Sequence, residues 1–436
     1  MAFFSSTKTS KVGPGILKVS IRSLIYLLLF LASVALLVLY KLVYFNHADF
    51  TSFFTWYAIL TSFYLITRVP TAHLYSDEHK SDTSLLRYPT VSVIVAVKNE
   101  EQVIYETIRS AVSGDFPADL ECVVVNDGST DGTEAEIKRA IRDFGRQVKL
   151  VSFPENRGKR DAMAAGVKKA RYKIIVFLDS DSRLKTDSLR HVTEHFLTDD
   201  SVGAVSGNTK VHNESENTLT KMQAVQYAIS FDIYKAGESI FGAVTCCPGC
   251  FSAYRRNAIL PLLQKWRGQK FLGAKGTFGD DRGLTNFVLK NSKVIYCRAA
   301  EATTVVPSRF SIYLRQQLRW KKSWFREGLL AAAFMWRRHP LASAGFYIHF
   351  TFPFMAPVLG GYALWRSFVD LDPLLFPAFT LGFAVLSLLF GFYLHLFEGR
   401  GRFGYVTLFS LMFAVLLIWQ MPYAMLTVTR THWGTR

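Results

Sequence analysis

Four short constellations in this 436-residue sequence carry residue types suited to phosphate and hydroxyl chemistry. The first, Asn126-Asp127-Gly128-Ser129-Thr130-Asp131-Gly132, follows an apolar run and has the composition of a loop. Its Asp127 can accept hydrogen bonds from a base or a ribose, although an Asp-Gly pair by itself more often marks only a turn. The second is Asp179-Ser180-Asp181, directly after Val176-Phe177-Leu178. Two carboxylates one residue apart at a strand end can share a hard dication, Mg²⁺ or Mn²⁺, with a diphosphate. In the third, Gly279-Asp280-Asp281-Arg282, either Asp280 or Asp281 can act as general base on a hydroxyl, or the pair can be a loop ion pair with Arg282. The fourth is Arg315-Gln316-Gln317-Leu318-Arg319-Trp320. On a helix, Gln316, Arg319 and Trp320 share one face, suited to sugar hydroxyls, phosphate and a pyranose ring, or to anchoring in lipid headgroups.

Elements of a definite kind must hold these groups. Val91–Val97, Leu120–Val125 and Ile174–Leu178 read as buried strands. Glu100–Val112 and Asp161–Ala170 read as helices between them. That alternation predicts a parallel sheet with crossover helices, whose carboxyl edge collects ligand-binding groups.

Half of the residues are hydrophobic and 14% are aromatic. The apolar residues gather before residue 70 and after residue 340, which implies a water-facing domain between membrane segments. Leu24 to Tyr40, extended through Phe45, and Phe50 to Thr67 form an expected transmembrane hairpin. Lys and Arg on both flanks place those flanks in the cytosol. Leu341–Trp365 and Leu374–Leu396 are two more expected spans. Phe403–Thr429 carries Gln420 and Pro422 and reads as broken, re-entrant or interfacial.

The expected organisation has a cytosolic segment at 1–22, a hairpin at 23–68 and a catalytic domain at 88–310. Interfacial helices at 311–340, membrane and re-entrant segments at 341–429 and a tail at 430–436 follow. The net charge of +17 is concentrated beside the apolar segments, which suits an anionic leaflet and excludes nucleic acid as the expected partner. Five cysteines, all in the central domain, argue against a disulfide framework. The Cys246-Cys247-Pro248-Gly249-Cys250 run lacks a second ligand pair at zinc spacing, and His191 and His195 read as ordinary helix-surface residues.

The four constellations, in this order, resemble the processive membrane synthases among family-2 glycosyltransferases of the GT-A fold. Gly279-Asp-Asp-Arg-Gly-Leu-Thr-Asn286, Trp324-Phe325-Arg326-Glu327 and Trp433-Gly-Thr-Arg436 look most like hyaluronan synthases. The Cys246–Arg255 and Tyr313–Trp320 segments are similar to chitin and chitooligosaccharide synthases as well. The resemblance implies an α/β GT-A-type domain with an α-helical transmembrane region in the plasma membrane. It implies a UDP-sugar donor, a growing polysaccharide acceptor, and Mg²⁺ or Mn²⁺ as the ion.

It also assigns roles. Asp127, with Ala96 and Lys98, would contact the uridine, while Lys159 and Arg160 would help to hold the nucleotide. Asp179 and Asp181 would position the metal, Asp281 beside Asp280 would be the base, and Arg319 would steady the departing UDP. Gln316, Trp320, Lys210 and Cys247 would line the acceptor path, with Trp433 and Arg436 in the tail motif. A chitin or chitooligosaccharide synthase using UDP-GlcNAc alone, a non-processive transferase loading one sugar on polyprenyl phosphate, and a transporter or scaffold with an inactive catalytic domain are the competing expectations.

Overall fold

The computed structural model describes residues 51–77, 87–369, 373–398 and 403–430, together with Leu28, Ala32, Ala35, Leu36 and Leu39. The expected first span, the 1–22 segment and the tail with Trp433 and Arg436 therefore lie outside the described residues, the five positions apart.

The chain enters on α1 (Thr51–Leu74) and then builds an eight-stranded sheet. Its strands are β1 (Val91–Val97), β2 (Leu120–Asp127), β3 (Val148–Phe153), β4 (Ile174–Phe177), β5 (Ser182–Leu184), β6 (Val202–Val211), β7 (Ser252–Arg255) and β8 (Lys293–Thr304). Their spatial order is β3-β2-β1-β4-β7-β6-β8-β5. The first four run parallel; β1, β2 and β4 are apolar runs buried on both faces, while β3, at the sheet's edge, is half-buried. The sheet is nevertheless mixed. β7 lies antiparallel between β4 and β6, and β5 antiparallel beside β8, so the expected parallel sheet holds for β1 to β4, β6 and β8 but not for these two strands. Arg255 explains part of that insertion. Its guanidinium donates to the carbonyls of Val202 and Phe196, pinning the end of β7 to β6 and the preceding helix.

The helices around the sheet are α2 (Ile104–Val112), α3 (Thr133–Phe144), α4 (Lys159–Lys169), α5 (Ser188–Thr198), α6 (Thr218–Ala228) and α7 (Asp280–Leu289). In α2, buried Ile104, Thr107, Ile108, Ala111 and Val112 follow the helical period and face the sheet. That helix, with α3 and α5, closes one core. On the opposite face α4, α6 and α7 pack in a second core that also takes in residues of the C-terminal helices, including Phe334, Ala342 and Phe390.

The C-terminal region comprises α8 (Phe310–Met335), α9 (Pro340–Val369), α10 (Leu375–Glu398), α11 (Phe403–Val415) and α12 (Gln420–Leu426). Among the described residues one helix, Leu375–His395 within α10, is long and apolar enough to cross a membrane. The pair Gly404–Val415 and Leu417–Leu426 meets the same criterion jointly and is bent by 44° at its break. Gln420 lies in the second segment of that pair, where its side-chain amide donates to the carbonyl of Leu314 on α8.

Candidate active site

The carboxyl ends of β1, β2 and β4 meet at one edge of the sheet. β2 ends in Asp127, whose two carboxylate oxygens accept the backbone N–H groups of Arg157 (2.7 Å) and Gly158 (2.9 Å). Asp127 therefore fixes the turn that launches α4. Gly128 has a φ of +66°, and a Cβ there would lie 2.6 Å from the carbonyl carbon of Glu155, so glycine alone permits this approach. At the end of β1, Ala96 packs half-buried against the core, while Lys98 is exposed. Asn99 accepts from Thr130 N at 2.9 Å and so joins the two loops.

Lys159 and Arg160, the first residues of α4, point to different partners. Lys159 Nζ lies 2.5 Å from Asp179 Oδ1. Burial opposes the ammonium charge, but Asp179, Asp280 and Asp281 outweigh it and hold the lysine above its ordinary pKa. Arg160 is a correction to its expected place beside the nucleotide. Its Nε donates to Asp280 Oδ1 at 2.9 Å and its Nη1 to the Trp266 carbonyl at 3.0 Å, with both charged groups buried. It orients the Asp280-Asp281 pair from behind, and it leaves Asp281 as the carboxylate of the pair that faces the cleft.

Asp179 and Asp181 follow β4. Burial, and then the neighbouring Asp179 charge, raise Asp181 to about 6, with Thr304 donating to it at 3.4 Å. The Cys246–Cys250 loop lies across this edge. A Cβ on Gly249 would stand 2.8 Å from Asp179 Oδ1 and 3.2 Å from Lys159 Nζ, so this loop abuts the carboxylate directly. Cys246 Sγ approaches Asp281 Oδ2 at 3.8 Å, and burial, then the Asp281 charge, push its thiol up to about 11. Cys247 departs from its expected place on the acceptor path. Its side chain is fully buried in the core, while its N–H donates to Thr285 Oγ1. The cysteine that meets Asp281 is Cys246, which is partly buried. Side-chain direction along a short loop cannot be read from sequence, so which cysteine of the run turns inward was not legible there.

Asp281 occupies the first turn of α7, where the helix dipole favours a carboxylate. The preceding Gly279 is left-handed, at φ +73°, and packs against Ser323 of α8. Arg326 donates to the Phe278 carbonyl and to Glu327 Oε1, and Glu327 also receives Gln269 and lies against Asn286. Thus α8 grips the loop that carries the proposed base. The same helix brings Arg319 near Asp281, Asp179 and Asp280. Burial lowers its pKa, and those three carboxylates oppose the change. Gln317 accepts from Gln226 at 3.4 Å. Gln316 Oε1 is shielded and has no hydrogen-bond partner among the described residues, a state that a ligand hydroxyl would relieve. Trp320 is partly exposed, its ring 6.4 Å from that of Tyr227. Lys210 is held in an ion pair with Glu301, as a neighbour of the β5–β8 edge.

A cavity of about 800 Å³ opens beside Cys246, Arg282 and Gln317. It passes Lys235, Glu238 and Trp324 and continues among Tyr57, Phe352, Phe383 and Phe413 of the apolar helices. Lys235 ends a π-helical stretch, Ile229–Lys235, and donates to the Cys246 carbonyl at 2.7 Å. Sequence reasoning missed Lys235 and Glu238. Lys235 and Glu238 sit in an unremarked helical stretch, and their partners are distant or several residues away. A π-bulge is the one local signal that marks such a stretch, and it is visible only in structure.

Residues 92–262 match the family model described as Glycosyl transferase family 2. Hyaluronan synthase of Streptococcus pyogenes serotype M3 is 27% identical over 385 residues, covering 87% of this chain and 90% of that protein. An N-acetylglucosaminyltransferase of Rhizobium leguminosarum bv. viciae is 34% identical over 279 residues, covering 63% and 65%. The solved mannosyltransferase PcManGT from Pyrobaculum calidifontis, in complex with GDP-Man and Mn²⁺, superposes with a TM-score of 0.54 at 19% identity. It covers 94% of this chain and 100% of that one. The α/β fold is thus GT-A-like, and this chain is a glycosyltransferase. Residues 92–262 are a family-2 glycosyltransferase domain, and the chain is similar to hyaluronan synthase and to the rhizobial N-acetylglucosaminyltransferase.

Proposed function

We propose that this protein is a membrane-embedded, processive, inverting glycosyltransferase that polymerises UDP-GlcNAc and UDP-glucuronic acid into hyaluronan and moves the product across the plasma membrane. The observation that carries this reading is the cavity that starts beside Asp281's neighbours Cys246 and Arg282 and continues between apolar helices. A transferase that released each product to the cytosol would have no use for such a continuation. The helices of residues 341–429, with the 23–68 hairpin, would supply the membrane anchor, and the catalytic domain would face the cytosol.

Asp281 accepts the proton of the acceptor hydroxyl as that oxygen attacks the anomeric carbon from the face opposite UDP. Asp280, held by Arg160, and the grip of α8 on Gly279 keep the base in place. Arg319 faces the charge that grows on the leaving diphosphate, and Lys159 is positioned for the same task. Asp179 and Asp181 suit a hard dication by their chemistry. Burial, and then the Asp179 charge, raise Asp181 to about 6, and a lysine ammonium already offsets Asp179. Mg²⁺ or Mn²⁺ bound there would neutralise the diphosphate; the Mn²⁺ and GDP-Man in the PcManGT complex support such an ion and a nucleotide-sugar donor. Asp127, Ala96 and Lys98 border the nucleotide side, while Gln316, Trp320 and Lys210 border the acceptor side.

The second reading is a chitooligosaccharide synthase using UDP-GlcNAc alone. It is favoured by the higher identity to the rhizobial N-acetylglucosaminyltransferase, 34% against 27%, although over a shorter span. Synthesis by the purified, detergent-solubilised protein with Mg²⁺ or Mn²⁺ separates the two. A large product that needs both UDP-sugars and is degraded by hyaluronidase supports hyaluronan. Product from UDP-GlcNAc alone replaces that assignment with the chitooligosaccharide one.

A further inference from the structure

Away from the transfer site, three metal-ligating side chains from distant parts of the chain converge. Asp77, just beyond α1, His195 of α5 and Cys297 of β8 each place a ligand atom within 4.8 Å of the other two. His195 departs from its expected helix-surface position, since it is buried at 8% exposure. Cys297 stands where the register of β8 against β6 breaks, between Tyr296 and Glu301. That irregularity turns the N–H groups of Ala299 and Ala300 toward the Cys297 sulfur. Ala299 N also donates to Asp77 Oδ2 at 2.8 Å, and the Tyr75 hydroxyl donates to the other Asp77 oxygen.

We propose that Asp77, His195 and Cys297 form a zinc-type metal site that clips the segment after α1 to the catalytic domain. The donor set of thiolate, imidazole and carboxylate suits a borderline ion such as Zn²⁺. Mg²⁺ and Mn²⁺ prefer oxygen ligands, so this chemistry is separate from that of Asp179 and Asp181. Zinc–ligand bonds of about 2.0–2.3 Å require the three atoms to draw together by roughly 1 Å. The carboxylate is already oriented by two donors, and backbone N–H groups face the sulfur, which is the outer support that metal ligands commonly have. The three ligands are each more than a hundred residues apart in sequence, so an ion here would tie together α1's exit, α5 and β8.

The test uses the full-length protein in detergent, purified without a histidine tag and exchanged into buffer free of Mg²⁺, Mn²⁺ and nucleotide. After loading with Zn²⁺ and removal of excess, mass spectrometry of the metal should find about one zinc per chain. C297S and D77N should each lose at least about tenfold in retained zinc, while D181N and a C246S/C250S double variant keep it. Co²⁺ in the wild type should give a thiolate-to-cobalt charge-transfer band, which decides the matter even if C297S fails to fold. Wild type retaining no zinc, retention unchanged in D77N, loss in D181N or C246S/C250S, or a cobalt spectrum without that band would each overturn the proposal and leave a hydrogen-bonded polar cluster.

Discussion

Asp281 and its neighbours work through small separations, and single atoms therefore carry large effects. Asp281→Asn keeps the shape of the α7 first turn and removes the base. Elongation should fall by a factor on the order of 10² or more, while UDP binding measured by calorimetry stays within about threefold. Retained elongation would sink the base assignment. Gly249 is the second residue at which one carbon matters. Its added Cβ would press on Asp179 Oδ1 and Lys159 Nζ, so this ion pair would have to shift together to make room. Gly249→Ala should raise the donor KM on the order of 10-fold. An unchanged donor KM would mean that the loop gives way without disturbing the carboxylate.

Among the elements, the sheet and α8 have distinct duties. Glu121 on β2 shows how the sheet is held at its far end from the site. Its carboxylate accepts Ser92 Oγ, Lys149 Nζ, Arg171 N and Arg171 Nε. Burial works against its charge, but these donors overcome that and lower its pKa to about 2. The folded-state value lies below the unfolded one, so the group stabilises the fold fully above about pH 4.5 and loses that contribution as pH falls toward 2. Glu121→Gln should therefore cost roughly 2 kcal/mol near neutral pH, seen as a lower apparent melting temperature. The gap from wild type should close on acidification; a gap constant between pH 7 and pH 3 would assign the loss to packing instead. The duty of α8 is different, because Ser323, Arg326 and Glu327 hold the loop before α7 while Arg319 enters the site.

At the scale of the whole molecule, the cavity runs from Cys246 and Arg282, neighbours of Asp281, to the apolar helices. Ala378 on α10 lines it far along the chain from any catalytic carboxylate. Ala378→Trp should shorten the polymer, read by gel filtration of the product, while UDP binding remains as in wild type. Full-length product from this variant would separate the cavity from polymer passage.

Much of this architecture was legible because its signals are local. Apolar runs of strand length ending in Asp127 and Asp179 announce buried parallel strands with carboxylates at their ends, and helical spacing groups Gln316, Arg319 and Trp320. The parallel strands of the sheet follow from such patterns, and the GT-A-like class from the resemblance that the four motifs carry together. What sequence could not settle depends on contacts between residues far apart. β7 inserts antiparallel through the bonds of Arg255, Arg160 turns from the cleft to Asp280, and Cys247 sinks into the core while Cys246 meets Asp281. Side-chain direction in a loop, and the choice among several carboxylates by one arginine, are decided by packing and by the cost of leaving buried charge unpaired. The sequence by itself determined which chemistry this chain can perform and on what kind of sheet. Only the tertiary structure decided which of the capable residues face the cleft, because that depends on desolvation and close packing across more than a hundred residues of chain.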